Sequence, residues 1–355
     1  MRNRIQALKD SFKSKELDGY VVANESNMLY FTGAIGAAGL WAPLEGENVL
    51  YVYGVNYESV KATAKNCRVE LMKRNEDPFK KIAENVRPLK LKRIGFDDLN
   101  VVYYAKMRKT MKETRIRPFS KLVQELRMIK DPTEVDAIKK AAELTDAGVQ
   151  AAIYAIKPGI REYEVAAEME YAMRKMGSEG VAFDTQVASG TRSAFPHGGC
   201  TDRKIGKGQF IVLDLGAKYN NYRADVSRTF IVGKPSPKQK RIYEVVLEAQ
   251  RKAFETIRAG VKARDVDAAA RKTIEEAGFG KYFVHGLGHG VGLDIHEAPS
   301  LNPEGKETLK AGNVVAVEPG IYIVDYGGVR VEDTVLVHND KVERLTKAAC
   351  ELMIG

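Results

Sequence analysis

The chain has 355 residues, 44% of them hydrophobic and 29% charged, the profile of a soluble globular protein large enough for two domains. Its net charge is +9, but 56 basic residues are interspersed with 47 acidic ones, which argues against a nucleic-acid-binding stripe; the densest basic stretch, Lys106 to Arg117, reads as a solvated helix face. Cys67, Cys200 and Cys350 are odd in number and far apart, which argues against a disulfide framework or a thiolate zinc site. With a charged start and no apolar run of membrane-spanning length, a cytoplasmic protein is expected.

In chain order, Ile5, Leu8 and Phe12 fall on one helical face. Tyr20 to Ala23 reads as a short strand that runs into a turn-rich segment, Asn24-Glu25-Ser26-Asn27. Val49 to Tyr53 and Arg93 to Asp97 are further strands, with lysine-rich helices between them, so residues 1–120 are expected to form a small α/β domain. Trp41, the single tryptophan, sits in the glycine-rich stretch Gly33 to Gly46 and reads as a packing anchor in a loop. A second domain is expected over residues 121–355, entered by a helix from Phe119 to Ile129. Asp131-Pro132-Thr133-Glu134 is a helix start: a capping side chain, proline at the first helical position, then an acid. That helix runs to about Ile156, where Lys157-Pro158-Gly159 stops it. A second spans Glu162 to Met176, with Met169, Met173 and Met176 at core spacing.

Next comes a loop holding His197, and then a hairpin. Gln209 to Gly216 and Ala224 to Val232 are apolar strands, each with one embedded acid, Asp214 and Asp225. A turn at Tyr219-Asn220 would set the two acids directly opposite each other, on one face. The plan then repeats: helices from about Lys238 to Ala259 and Arg264 to Ala277, and a second hairpin of Asn313 to Gly320 and Val329 to Val337 across a turn at Tyr326-Gly327-Gly328. Its strands embed Glu318 and Glu332. Two helices and an acid-bearing hairpin, occurring twice, suggest a duplicated α+β domain.

Before the second hairpin lies Val284 to Glu297, which holds three of the five histidines, His285, His289 and His296. Gly286, Gly288 and Gly290 alternate with the first two, which argues for a tight strand or loop and against the helix of His-Glu-x-x-His zinc proteases. An aspartate within an apolar strand is costly unless paired, and facing acids repel unless a proton or cation lies between them. Two aspartates, two glutamates and one imidazole balance two divalent cations, and suit Mn(II), Co(II) or Zn(II) better than copper. Such a centre activates water and polarises a carbonyl, the chemistry of amide hydrolysis. The competing reading pairs each acid with a base such as Arg223, Arg228 or Arg330.

Asn24 to Gly33, Phe195-Pro196-His197, Leu213 to Gly216, Asp225 to Thr229, His285 to Glu297, Glu318-Pro319-Gly320 and Val331-Glu332-Asp333 together resemble the proline-specific metallopeptidases of the pita-bread fold, the prolidases and aminopeptidase P. The resemblance covers essentially the whole chain. It implies a creatinase-like N-terminal α/β domain and a C-terminal pita-bread catalytic domain, a pseudo-duplicated curved antiparallel sheet covered by helices. It implies that Asp214, Asp225, His289, Glu318 and Glu332 bind two divalent metals. His197 and His296 would contact the scissile carbonyl, His285 would shape the site around the substrate proline, and Glu318 would also carry the proton from water to the leaving nitrogen. The activity implied is hydrolysis of the bond preceding proline in Xaa-Pro dipeptides by a metal-activated water, with a homodimer as the assembly. Aminopeptidase P activity on longer peptides is the alternative, and a non-catalytic binding protein of the same fold a more distant one. Ser227 stands where many relatives have threonine, with little effect expected. No arginine follows His296-Glu297-Ala298-Pro299 closely, so Arg330 and Arg192 are the candidates to bind the substrate carboxylate, with a structural role weighed at least equally for each.

Overall fold

The computed structural model describes residues 3–354, and the chain divides into two units between Arg127 and Met128. In the first unit, Asn3 accepts the amide of Gln6 and opens α1 (Arg4–Asp10), followed by α2 (Phe12–Lys15). Ile5, Leu8 and Phe12 are all buried, as their spacing requires. The strands are β1 (Gly19–Val22), β2 (Gly39–Pro43), β3 (Val49–Tyr53), β4 (Arg68–Met72), β5 (Arg93–Phe96) and β6 (Arg115–Pro118), in the order β4-β3-β2-β1-β5-β6. The helices are α3 (Glu25–Thr32), α4 (Tyr57–Thr63), α5 (Pro78–Val86), α6 (Val101–Thr110) and α7 (Ser120–Met128).

Three local expectations need correction here. Asn24 to Asn27 is the start of α3, where the Asn24 side chain accepts the Asn27 amide; a turn-forming residue also caps helices. Trp41 anchors packing from within β2, where Gly19 on the neighbouring β1 leaves room for its ring: a Cβ on Gly19 would lie 2.1 Å from it. The basic stretch is helix only as far as Thr110; Arg115 to Pro118 pair as an edge strand.

In the second unit, Asp131 accepts the amides of Thr133 and Glu134 while the Glu134 carboxylate accepts the Asp131 amide, a complete capping box for α8 (Pro132–Ala155). α9 (Glu162–Lys175) packs on α8 over β7 (Gly180–Val181), β8 (Gln186–Ser189) and β9 (Phe210–Leu215). Met169 and Met173 enter this core, but Met176 is 55% exposed, because the helix ends one residue before it.

The first hairpin continues through β10 (Ala217–Tyr219), β11 (Tyr222–Arg223) and β12 (Val226–Val232). Its turn residues are Asn220 and Asn221, both left-handed (φ 47° and 66°), one position later than expected. Asp214 therefore faces Ser227, not Asp225. Moving the turn by one position moves the register by two, so the acids keep a common face. At the interruption between β9 and β10 the strands approach closely: a Cβ on Gly216 would lie 2.1 Å from the Ala224 carbonyl.

The second half repeats the layout. α10 (Pro237–Thr256) and α11 (Ala263–Glu276) share an apolar core with β14 (Glu297–Leu301), β15 (Val314–Val317), β16 (Gly320–Ile323), β17 (Gly327–Arg330) and β18 (Asp333–Val337), and β13 (Gly288–Gly290) pairs between β14 and β15. β19 (Val342–Arg344) and β20 (Met353–Ile354) complete two of the sheets, β14-β13-β15-β18-β19 and β20-β12-β9-β8. The expected second hairpin is broken in two: β15 pairs with β18, and β16 with β17 in a separate ribbon. Pro319, which has no amide hydrogen, lies at the break. The pairing resumes in the same register, Val317 with Asp333 and Gly320 with Arg330, so Glu318 and Glu332 come opposite each other where the ladder is interrupted. Gly327 and Gly328 are strand residues, and the turn is Val324 to Tyr326, with Asp325 left-handed (φ 62°).

Candidate metal centre

The embedded acids leave specific oxygens bare. Asp214 accepts at Oδ2 from Arg330 Nη2 (2.7 Å) and Gln186 Nε2 (2.9 Å), while its buried Oδ1 has no hydrogen-bond partner. Glu332 accepts at Oε2 from the Ser227 hydroxyl (2.6 Å), and its Oε1 is likewise without one. Asp225 is held by its backbone, which exchanges hydrogen bonds with the Thr334 hydroxyl (2.9 and 2.8 Å), and its Oδ1 also has no partner. A buried carboxylate oxygen without a donor costs the desolvation of that atom. Burial, and then repulsion among the neighbouring carboxylates, holds Asp225 and Glu318 well above the ordinary range and pushes Glu332 up to about 8.

His289 completes the set. Its Nδ1–H donates to the Gly290 carbonyl (3.1 Å), which leaves the Nε2 lone pair 3.6 Å from both Asp225 Oδ2 and Glu318 Oε1. Burial, then His296, pushes its pKa down to about 4, so these neighbours face a neutral imidazole. Ligand atoms of Asp225, His289 and Glu332 all lie within 4.8 Å of one another. Clustered carboxylates with oxygens free of donors, beside an imidazole lone pair, fit a divalent cation. β13 reaches this position because Gly288 allows it: a Cβ there would lie 2.0 Å from the Ala316 carbonyl oxygen.

The arginine readings divide. Arg228 pairs with Asp333 (2.8 Å), and Arg223 lies 3.9 Å from Asp294, neither partner being one of the four acids. Arg330 does, through Asp214. It is 2% exposed and donates to the Ser227 hydroxyl (2.7 Å), the Pro196 carbonyl (3.1 Å) and the Tyr322 hydroxyl (3.0 Å) as well. Four of its N–H groups thus meet the protein's own acceptors, the structural role weighed beside contact with the substrate carboxylate. Arg192 is likewise engaged by Glu162 and the Gly198 carbonyl.

His285 is fixed by the same network. Its Nδ1–H donates to the Gly286 carbonyl (2.7 Å) and its Nε2 accepts the Tyr322 hydroxyl (3.0 Å). Burial pushes its pKa down to about 4. The four acids and His289, with His197, His285, His296 and Arg330, line one cleft of about 960 Å³. His296 meets the His289 ring edge-on at 4.3 Å between centroids, and burial followed by His197 lowers its pKa.

Sequence reading missed Gln186 and Tyr322, and it understated Ser227. Gln186 lies opposite Asp214 in the β8–β9 register, but β8 is too short to stand out as a strand. Tyr322 reads as an ordinary apolar strand residue. Ser227 carries no signal alone, yet its hydroxyl links Arg330 to Glu332.

Residues 136–339 match the model of metallopeptidase family M24, and residues 4–129 that of the creatinase/prolidase N-terminal domain. This chain belongs to metallopeptidase family M24. Among M24 relatives, it is 41% identical to the Xaa-Pro dipeptidase of Pyrococcus furiosus, over 99% of this chain and 100% of that one. The prolidase from Pyrococcus horikoshii OT3 has a TM-score of 0.93 at 38% identity, covering 99% and 100% of the two chains. The Xaa-Pro dipeptidase from Bacillus anthracis has a TM-score of 0.94 at 37% identity, covering 99% of each. The M24 fold expected from the sequence, a pita-bread domain after a creatinase-type N-terminal domain, is therefore the fold of this chain.

Proposed function

We propose that this chain is an Xaa-Pro dipeptidase, hydrolysing the bond preceding proline, with Asp214, Asp225, His289, Glu318 and Glu332 holding two divalent metals, Mn(II) or Co(II) and alternatively Zn(II). The observation that carries the reading is the convergence of Asp225, His289 and Glu332, whose ligand atoms lie within 4.8 Å of one another, among acids that keep buried oxygens without hydrogen-bond partners. The similarity to proteins named Xaa-Pro dipeptidase supports the substrate. When bound, the metals lower the pKa of water and polarise the scissile carbonyl.

The chain's own residues do the rest. Glu318, whose side chain is 21% exposed in the cleft, takes the proton from the attacking water and delivers it to the proline nitrogen as the bond breaks. His197 and His296, both exposed on the cleft wall, donate to the carbonyl oxygen as negative charge develops there. His285 borders the proline ring, locked in one tautomer by Tyr322 and the Gly286 carbonyl. Arg330 and Gln186 hold Asp214 at one oxygen and so aim the other. The proposal includes a homodimer, checked by light scattering. It also places the protein in the cytoplasm, in keeping with three free, half-buried cysteines; no helix of the described residues is long and apolar enough to cross a membrane.

One observation favours a second reading, release of the N-terminal residue from longer Xaa-Pro peptides. Among the described residues lining the cleft, Arg330 is the one arginine or lysine, and its donors are engaged. Product analysis on Ala-Pro and Ala-Pro-Ala with metal-loaded protein tests both. Proline release from the dipeptide alone supports the dipeptidase. Alanine release from the tripeptide moves the assignment to the aminopeptidase. Metal binding with turnover of neither contradicts the peptidase reading.

A further inference from the structure

The segment from Phe283 to His289 carries Gly286 and Gly288, and glycine leaves a backbone with the most freedom to lose. Yet it must present two imidazoles to the centre. Its backbone is held from outside, by one pair on α11. Arg271 donates from Nη1 to the Phe283 carbonyl (3.2 Å) and from Nη2 to the His285 carbonyl (2.8 Å). Its guanidinium also lies over the Phe283 ring, 4.2 Å from the centroid. Asp267, one helical turn earlier, accepts the Leu287 amide at Oδ1 (3.0 Å) and both Arg271 Nε (2.8 Å) and Nη2 (2.9 Å). The pair thus grips residues 283, 285 and 287, and its last contact is two residues before His289. Phe283 passes the constraint on through its ring, edge-on to His285 with centroids 5.2 Å apart. Asp267 has 1% of its side chain exposed and Arg271 21%, so the carboxylate is desolvated for this arrangement. A helix-stabilising ion pair has no need of a buried member.

We propose that Asp267 and Arg271 are a positioning pair for the metal centre: through the backbone of residues 283–287 they fix His289 as a metal ligand and His285 at the substrate. The fork geometry is essential to this role. Only a guanidinium can span the two carbonyls and the carboxylate at once; an ammonium keeps the charge but not the span. The inference rests on the reading of His289 as a ligand, and it stands apart from which peptide is cleaved.

The test uses the full-length, metal-free protein titrated calorimetrically with Mn(II), alongside its guanidinium chloride unfolding midpoint and its kcat and KM on Ala-Pro. Two variants are needed. Arg271→Lys retains the charge, and the double variant Asp267→Asn with Arg271→Met leaves no unpaired buried charge. The expected result for Arg271→Lys is an unfolding midpoint at the wild-type value together with Mn(II) affinity weakened about 10- to 100-fold. The double variant weakens Mn(II) binding to the same extent, and both raise KM. Mn(II) affinity of Arg271→Lys within about twofold of wild type overturns the proposal, even if the double variant fails to fold, since it reduces the pair to a structural one. Wild-type protein that binds no Mn(II) overturns it together with the metal reading. Wild-type protein that binds Mn(II) but does not cleave Ala-Pro removes the proposed substrate alone, and the variants' affinities still decide the positioning role.

Discussion

Asp214 gives one carboxylate oxygen to two donors and keeps the other bare, and Glu332 does the same through Ser227. In the proposed centre this division would turn two buried acids from a liability into directed ligands, and Arg330 is central to it. Arg330→Lys can keep one of its four partners at a time, so kcat/KM on Ala-Pro is predicted to fall about 10- to 100-fold, with metal affinity weakened to match. The same acids give the metal-free protein a signed pH dependence. Burial and mutual repulsion raise Asp225 and Glu318, and take Glu332 to about 8, so they hold protons in the folded chain that the unfolded chain has released. A raised acid pKa contributes stability that is full below the unfolded value and is lost as pH rises through the folded one. His285 and His289, lowered to about 4, act in the opposite sense, but only below their unfolded value of 6.5. Between about pH 6.5 and 8, then, the urea midpoint of metal-free protein is predicted to fall as pH rises, and saturating Mn(II) is predicted to abolish that fall. A midpoint rising over this window without metal contradicts the placement of the acids.

At the scale of elements, the centre depends on places where two backbones approach more closely than a side chain allows. Gly288 is one: its absent Cβ is what lets β13 lie against β15. Gly288→Ala must displace that backbone, and a loss of about 1–3 kcal/mol in chemical unfolding is predicted, with weaker Mn(II) binding. Elements with strong local signals were legible from the sequence. The capping box at Asp131 and the paired helices α8–α9 and α10–α11 lie within a few residues of their expected limits. Registers were less legible. One turn position, Asn220-Asn221 in place of Tyr219-Asn220, shifted Asp214 from Asp225 to Ser227, and propensity hardly separates such neighbours. The break of the second hairpin at Pro319 was readable in principle, since proline cannot continue a ladder. The helix at Asn24 was hidden because asparagine serves turns and caps alike. Of the site, the chemistry-bearing types in apolar strands stood out, while the residues that aim them, Gln186, Ser227 and Tyr322, did not. Their roles come from partners far away in sequence, such as Ser227 with Arg330 and Glu332.

At the scale of the whole molecule, the second unit is two copies of one layout, and the centre draws on both. Asp214 and Asp225 come from the first helix-pair-and-hairpin module; His289, Glu318 and Glu332 come from the second. The modules are already joined by hydrogen bonds from β12, where the Glu332 amide donates to the Ser227 carbonyl (3.0 Å) and Thr229 exchanges two with Arg330 (2.9 and 3.0 Å). Metal bound by acids from both modules would tie them further, so activity and stability share one requirement. The most direct measurement is proline release from Ala-Pro by metal-depleted protein as Mn(II) is added in known equivalents. The account predicts no release without metal and a rise that levels off at about two equivalents per chain. Release that survives metal depletion, or protein that takes up Mn(II) and frees no proline, would contradict it.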